Sequence, residues 1–171
     1  MKTVLAFGTF DLLHPGHEHY LREARKLGDR LVVVVARDST VRRVKGHEPL
    51  QDERTRLAAV RRVWHVDETL LGGARDPFAV VRAVRPQVIA LGYDQRHFTR
   101  GLAQKLVREK MRAKIVRIDA YRPERFKTSI LRRALAAARR SVPARARAAR
   151  RTRAGSPTRA RAPRRYSRRT P

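Results

Sequence analysis

A run of six apolar residues, from Leu31 to Ala36, constrains the fold more than any other part of the chain. Its four consecutive valines are typical of a strand that is buried on both faces, as in the middle of a parallel sheet. The preceding residues 18–27 carry apolar side chains at steps of three and four, which is the spacing of an amphipathic helix. A buried strand that follows such a helix indicates an α/β domain.

The same alternation continues and predicts five strands, at residues 2–7, 30–36, 66–71, 87–91 and 114–118. Helical spacing predicts five helices, at residues 18–27, 52–63, 78–84, 99–111 and 128–138. The polar residues between 38 and 52 are predicted as a connection without a helix. This order predicts an α/β fold, a Rossmann-like open five-stranded parallel sheet with helices on both faces.

The composition changes abruptly at residue 139. Residues 139–171 hold 13 arginines and no acidic residue, and they carry nearly half of the formal net charge of +27. Such a segment buries too little apolar surface to offset the entropy of ordering its backbone. We therefore predict a folded domain at residues 1–138 and a disordered Arg-rich tail at residues 139–171. A GC-rich reading frame that runs on without function would produce a similar tail.

Composition also excludes several classes of protein. The chain has no cysteine, which rules out disulfides, thiolate metal sites and cysteine nucleophiles. Its longest apolar run is far shorter than the ~18 residues that a membrane span needs. The chain opens on a strand-like segment without a signal-peptide pattern. We therefore expect a cytoplasmic protein that does not contact a membrane.

The segment at residues 8–17, Gly-Thr-Phe-Asp-Leu-Leu-His-Pro-Gly-His, lies between the first predicted strand and the first helix. Open α/β sheets bind their ligands at such junctions. Pro15 suits the first helical position, and Gly16 would let a ligand approach the backbone closely. The N–H groups of residues 16–18 are then expected to be unpaired and to form an anion site with the helix dipole.

His14 and His17 flank this anion site and can both donate to one phosphate. Phosphoryl-type transfer needs positioning and charge stabilisation more than it needs a nucleophile. An ordinary turn between two histidines is the alternative. The whole motif resembles the signature of the nucleotidyltransferase superfamily that includes glycerol-3-phosphate cytidylyltransferases, phosphopantetheine adenylyltransferases and archaeal-type FAD synthases.

The resemblance covers residues 1 to about 135 and includes three further segments. Residues 44–46, Val-Lys-Gly, with Pro49 resemble the superfamily's Lys-Gly loop. Residues 91–95, Leu-Gly-Tyr-Asp-Gln, are close to the same five residues of the archaeal FAD synthases and separate the subfamilies. Residues 127–131, Lys-Thr-Ser-Ile-Leu, resemble the family's Ser-Thr-Ser-x-Ile segment, with a lysine in place of the first serine.

The resemblance implies an FAD synthase, in which a phosphate oxygen of FMN attacks the α-phosphorus of ATP in line and pyrophosphate leaves. No covalent enzyme intermediate is needed. Catalytic roles are implied for His14, His17 and Lys45. Nucleotide binding is implied for a set of residues that lie in or near the matched motifs: Thr9, Phe10, His14, Pro15, Gly16, His17, Arg56, Asp94, Tyr121, Thr128 and Ser129.

Within this scheme Thr9 and Phe10 cradle the nucleotide, and Lys45 and Arg56 neutralise the triphosphate or the departing pyrophosphate. An arginine suits bidentate contacts to phosphate oxygens. Both cations are also compatible with a solvated surface.

The remaining implied contacts come from the carboxyl ends of late strands and from the last helix. Asp94 would bind ribose or a base edge, and Tyr121 would pack near the adenine, although packing without function is the alternative for Tyr121. Thr128 and Ser129 would either contact phosphate or cap the helix.

A divalent cation, Mg²⁺ by its chemistry with phosphates, is expected to bridge phosphate oxygens, and no metal-ligand cluster is predicted in the protein. ATP and FMN are the expected substrates, and the resembling branch commonly forms homodimers. Two alternatives stay open. One is cytidylyl transfer to glycerol 3-phosphate or to another small phosphorylated alcohol or sugar. The other, from a different class, is nonspecific nucleic-acid binding through the basic tail.

Overall fold

The computed structural model describes residues 1–96, 99 and 101–141, with side chains up to residue 138. Five strands and six helices alternate along this part of the chain. The strands are β1 (Thr3–Gly8), β2 (Arg30–Val35), β3 (Glu68–Leu71), β4 (Val88–Gly92) and β5 (Lys114–Ile118). The helices are α1 (Pro15–Arg25), α2 (Asp38–Lys45), α3 (Glu53–Arg61), α4 (Ala79–Val84), α5 (Leu102–Arg108) and α6 (Thr128–Ser141).

All five strands are parallel, and they lie in the order β3-β2-β1-β4-β5. The chain moves outward from the central β1 through β2 and β3, and then returns to β4 on the other side of β1. The connections that leave β1 and β4 therefore diverge. Such a switch point opens a crevice at the carboxyl ends of the two strands, where open α/β sheets bind ligands. The predicted five-stranded parallel sheet is confirmed.

Apolar side chains cover both faces of the sheet. On one face Leu21 of α1 and Val60 of α3 pack against alternate strand residues. On the other face Val81 of α4 and Leu106 of α5 do the same. Residues 31–35 of β2 are at most 3% exposed, as expected for a strand that is covered on both sides. Helices on both faces are thus also confirmed.

Helix α2 is absent from the sequence prediction, which treated its residues as a polar connection. Its one buried residue is Val41, so the chain lacks the repeated apolar spacing by which an amphipathic helix is recognised. The helix ends at Gly46, whose left-handed backbone (φ 71°) suits glycine. Lys45 is therefore the last residue of a helix rather than part of a loop.

The other elements lie within a few residues of their predicted positions. The largest shifts are of three residues: α1 begins at Pro15 rather than at residue 18, α5 is shorter at each end than the predicted 99–111, and α6 ends at Ser141 rather than at residue 138. Pro15 occupies the first turn of α1, as predicted.

The chain divides into two compact units, Met1–Arg132 and Arg133–Pro171. Of the second unit the structure describes residues 133–141, which continue α6 three residues beyond the predicted domain end. The rest of the predicted tail, residues 142–171, lies outside the described residues. Within the described part of the chain, no helix is long and apolar enough to cross a membrane.

Candidate active site

A cavity of about 660 Å³ opens at the carboxyl edge of the sheet, at the switch point between β1 and β4. Its wall is built from the segments that follow β1, β4 and β5, from the end of α2 and from the start of α6. Ten of the twelve predicted site residues line it: Thr9, Phe10, His14, Gly16, His17, Lys45, Asp94, Tyr121, Thr128 and Ser129. Pro15 and Arg56 are not among the lining residues.

His14 caps the helix that forms one wall of the cavity. Its backbone is extended (φ −144°, ψ 165°), and its ring Nδ1 accepts a hydrogen bond from the N–H of Gly16 at 3.1 Å. Its carbonyl oxygen accepts from the N–H groups of His17 (2.8 Å) and Glu18 (3.2 Å). Because Nδ1 is an acceptor, we assign the ring proton to Nε2.

The N–H groups at the start of α1 correct the sequence prediction. Those of residues 16–18 were expected to be unpaired, but each already donates to His14. They are therefore not free to bind an anion. The helix dipole at this end of α1 favours a negative charge, and the neutral imidazoles can donate N–H groups to one.

His17 lies directly beside His14, and the two rings stack with centroids 3.8 Å apart and planes 23° from parallel. Burial, followed by the neighbouring His14 and Lys45, lowers the pKa of His17 to about 3. Burial also lowers the pKa of His14. Both rings are therefore neutral at pH 7 and can each donate one N–H. Nδ1 of His17 is buried and has no hydrogen-bond partner in the described part of the chain.

Gly16 is required by the packing of the protein itself. A Cβ at this position would lie 2.9 Å from the carbonyl oxygen of Phe126 and 3.0 Å from the ring of His14. Gly16 also lines the cavity, and its role in letting a ligand approach the backbone stays a prediction.

Phe10 supports the histidines from the core side. Its side chain is fully buried, its backbone is left-handed (φ 54°), and its ring centroid lies 5.4 Å from that of His17 and 6.4 Å from that of Tyr20. A Cβ on Gly8 would come within 2.6 Å of this ring, so Gly8 makes room for it. The ring of Phe10 therefore packs against His17 from the core and helps to fix the position of its ring.

Lys45, at the end of α2, reaches the cavity rim with an exposed side chain. Partial enclosure by the protein lowers the pKa of its ammonium group, while Asp94 and Asp11 act in the opposite direction. Lys45 is also one of the groups that lower the pKa of His17, so it lies within electrostatic range of that ring.

Arg56 does not fit either of the two predicted roles. It is 0% exposed, so it is not solvated surface, and its guanidinium bonds to oxygens of the chain itself. Nε donates to the carbonyl of Gln51 (3.0 Å), Nη1 to that of Thr9 (2.6 Å), and Nη2 to Ala36 O (2.7 Å) and Asp38 Oδ1 (2.5 Å). The guanidinium thus uses four N–H groups, which a triphosphate would need as donors, in hydrogen bonds within the chain.

Asp94 and Tyr121 follow the ends of β4 and β5, which are neighbours in the sheet. Asp94 is exposed in the cavity wall. The ring of Tyr121 is 36% exposed and lies against His19 (5.1 Å between centroids) and Phe126 (5.9 Å). Tyr121 thus packs against His19 and Phe126 and also lines the cavity.

Thr128 and Ser129, at the start of α6, also reach the cavity. The Oγ of Thr128 donates to the carbonyl of Asp11 (3.4 Å) and lies 3.4 Å from Nε2 of His14. The N–H groups of Ile130 and Leu131 donate to the carbonyl oxygen of Lys127. The hydroxyl of Thr128 therefore does not cap α6 by accepting from them. Its hydroxyl faces the histidine instead.

A comparison with known families decides the wider relationship. The cytidylyltransferase-like family model matches residues 5–134, which is most of the chain. The chain belongs to the cytidylyltransferase-like family. The resemblance inferred from the motifs is therefore confirmed.

Several relatives of this cytidylyltransferase-like chain are FAD synthases. The one from Aciduliprofundum boonei is 47% identical over 121 residues, which are 71% of this chain and 80% of the relative. The one from Thermoplasma acidophilum is 45% identical over 133 residues, 78% of this chain and 93% of the relative. A solved structure described as a lipopolysaccharide core biosynthesis protein from Thermoplasma volcanium is 48% identical, with a TM-score of 0.67, over 71% of this chain and 98% of that one.

The cytidylyltransferase-like site also contains Lys127, the first residue of the matched segment 127–131, and four cations that the motifs did not reveal. These four, Arg43, Arg96, Lys105 and Arg132, all line the cavity. Helical spacing could have identified Arg132, because it follows Thr128 by four residues and so lies on the same face of α6. The others carry no such signal in a chain this rich in arginine.

The donor set of this family member offers limited support for a metal ion. No group of three or more His, Cys, Asp or Glu side chains comes together in the described residues. Asp94 and Asp119, after the adjacent ends of β4 and β5, both line the cavity. The carboxylate of Asp11 is already bonded to backbone N–H groups. A cation held mainly by phosphate oxygens, with one or two carboxylates, fits these residues.

Proposed function

We propose that this chain is an FAD synthase, a nucleotidyltransferase that transfers the adenylyl group of ATP to FMN with release of pyrophosphate. The observation that carries the chemistry is the stacked pair of neutral imidazoles in the switch-point cavity, one of them with an unpartnered buried nitrogen. The choice of acceptor is supported by relatives at 45–48% identity that are FAD synthases.

The transfer is an in-line displacement. A phosphate oxygen of FMN forms a bond to the α-phosphorus of ATP while the bond from that phosphorus to the bridging oxygen breaks, and the electron pair leaves with pyrophosphate. His14 and His17 donate N–H groups to oxygens on which negative charge develops. Donors fixed before the reaction stabilise such charge without reorganising during it.

Lys45 neutralises the triphosphate or the departing pyrophosphate from the rim of the cavity. Asp94 and Tyr121 would contact the nucleoside, and Thr128 with Ser129 would contact phosphate beside the histidines. A bound divalent cation, Mg²⁺ in this proposal, would lower the charge on the phosphate oxygens, and the carboxylates of Asp94 and Asp119 in the cavity wall are candidate ligands for it.

A substrate panel tests the proposal. ATP and CTP are crossed with FMN, glycerol 3-phosphate and sugar phosphates, and FAD formation is followed by its fluorescence change and pyrophosphate by a coupled assay. Of all the substrate pairs in this panel, we expect turnover only for ATP with FMN. Turnover with CTP and a small phosphorylated alcohol would instead favour the cytidylyltransferase alternative. Omitting Mg²⁺, or replacing it with Mn²⁺, tests the cation in the same assay.

Three further parts of the proposal concern the whole protein. A homodimer is proposed for solution and is tested by sedimentation. Nonspecific nucleic-acid contact is proposed for residues 139–171 and is tested by filter binding across a salt series, because phosphate contacts weaken steeply with salt. The cytoplasm is proposed as the location, since ATP is a substrate.

A further inference from the structure

A polar network joins the loops that surround the cavity, and the half-buried Gln51 is its centre. The N–H of Gln51 donates to Asp11 Oδ1 (3.0 Å), and its carbonyl accepts from Arg56 Nε (3.0 Å). Its side-chain Oε1 accepts from the N–H of Leu12 (3.3 Å). Asp11 and Arg56, 2% and 0% exposed, thus meet at one residue from opposite sides. We call Asp11, Gln51 and Arg56 the Gln51 network.

The Arg56 side of the network holds the start of α2. Nη2 of Arg56 donates to Oδ1 of Asp38, the first residue of that helix, and to the carbonyl of Ala36 just before it. Nη1 of the same guanidinium donates to the carbonyl of Thr9 in the motif loop. One side chain therefore fixes the distance between the motif loop and the first turn of α2.

The Asp11 side holds the loop that follows α2. Both carboxylate oxygens of Asp11 accept from the N–H of Leu50 (3.0 and 2.9 Å), in addition to the bond from Gln51. Hydrogen bonds thus hold the chain at the start of α2 and in the loop that follows this helix. It is only eight residues long and has one buried side chain, Val41, so packing alone does little to fix its position.

We propose that Arg56 is a positioning residue for Lys45, and that the Gln51 network sets α2 so that this lysine lies over the same phosphate as the histidine pair. The inference rests on the proposed function, because it takes Lys45 to bind a phosphate of the substrate. Arg56 itself does not touch the substrate.

A double-mutant cycle between Arg56 and Lys45 tests the proposal. Arg56→Lys keeps the charge but removes the planar fork that reaches four acceptors. We expect it to lower kcat by about 10²-fold, with a much smaller change in KM, because small displacements of catalytic groups cost about that much. In a Lys45→Ala background the same change should cost less than about threefold, since the residue that it positions is gone. Equal losses in the two backgrounds would overturn the proposal.

Arg54→Lys is the matched control, because Arg54 is an exposed residue of the same helix, and we expect wild-type kinetics from it. If Arg56→Lys does not fold by circular dichroism, Asp38→Asn replaces it in the cycle and should show the same dependence on Lys45. The cycle is measured with whichever acceptor the wild type uses. Failure to use FMN would thus contradict the proposed function and leave this test readable.

A second readout needs no substrate. Lys45 is one of the groups that lower the pKa of His17, so displacing Lys45 should raise that pKa. We expect NMR titration to show an increase in Lys45→Ala and in Arg56→Lys, and no further increase in the double variant. A rise in Lys45→Ala without any rise in Arg56→Lys would show that Arg56 does not position the lysine.

Discussion

The histidine pair at the start of α1 and the arginine in α3 differ in how much of their hydrogen-bonding capacity the chain itself uses. Nδ1 of His17 has no partner in the described structure, and Nε2 of His14 has only the long 3.4 Å contact with Thr128. Arg56 donates four hydrogen bonds of 2.5–3.0 Å to oxygens of three separate loops. Both histidines line the cavity and keep hydrogen-bonding capacity that the described chain does not use, so we call them the open set; Arg56, which is paired with oxygens of the chain, is the closed set.

This difference separates an active site from the frame that holds it. A buried donor whose acceptors are all oxygens of the same chain organises loops, and it is costly to remove because those oxygens then lose their partner. An imidazole in a cavity wall, with hydrogen-bonding capacity that the chain does not use, can serve a ligand instead. Residue type does not distinguish the two roles, because histidines and arginines both bind phosphates.

Arg56→Met gives the largest expected effect on the frame. The substitution keeps a side chain of similar length but leaves the carbonyls of Thr9 and Ala36 and the carboxylate of Asp38 without this partner. We expect the free energy of unfolding, measured by urea titration, to fall by about 3–5 kcal/mol, as when one member of a buried ion pair is removed. Arg54→Met, the matched exposed change, should stay within about 0.5 kcal/mol of the wild type. If the free energy of unfolding of Arg56→Met fell only slightly, Arg56 would not be part of a structural frame distinct from the histidine pair.

Removing either imidazole should have the opposite profile, with a large loss of rate and a small loss of stability. His14→Ala and His17→Ala should each lower kcat by roughly 10²–10³, the loss typical of removing one oxyanion donor. His14 also caps α1, and an alanine at a cap costs about 1 kcal/mol of stability. His14→Asn restores a capping side chain without the imidazole, so it should recover the stability and not the rate. Near-wild-type turnover in a folded variant would remove the histidines from the mechanism.

The contrast also explains how far the sequence could be read. The order of the five strands follows from local patterns and agrees with the structure, in which the described residues form one further helix, α2. The histidine motif is also a local pattern, and the structure places both histidines in the cavity wall, while their catalytic roles stay predictions. The resemblance implied a phosphate contact for Arg56, to which an arginine is suited. Its actual partners come from residues 9, 36, 38 and 51, and pairings between such distant segments leave no periodic signal.

Helix α2 and the pairing of the N–H groups at the start of α1 were not predicted, for related reasons. The short α2 has one buried residue and is held by polar contacts that only the folded chain provides. The amides of residues 16–18 were expected to be free because a proline–glycine pair begins the helix. The sequence does not reveal that the preceding histidine, rather than serine or aspartate, acts as the cap.

The low pKa of His17 should make the protein sensitive to acid. In the folded state this ring stays neutral down to about pH 3, whereas in the unfolded chain it takes up a proton near its ordinary pKa of 6.5. Above pH 6.5 neither state is protonated, so the group has no effect there. Between pH 6.5 and 3 only the unfolded state gains the proton, and the free energy of unfolding must fall. Thermal melts from pH 8 to 4 should show a smaller loss for His17→Gln than for the wild type. Parallel curves would mean that the ring titrates normally and is not buried as described.

The smallest effect is expected from truncation after residue 138. Every described cavity residue and every member of the Gln51 network lies at or before Arg132, so the deletion leaves both the open and the closed set of donors intact. Neither kcat nor the free energy of unfolding should change by more than the error of measurement, while any retention on nucleic acid at low salt should disappear. A folded truncation that had lost turnover would place a third functional element beyond the two compared here. It would have to act on the cavity from residues 139–171, because every described cavity residue would still be present.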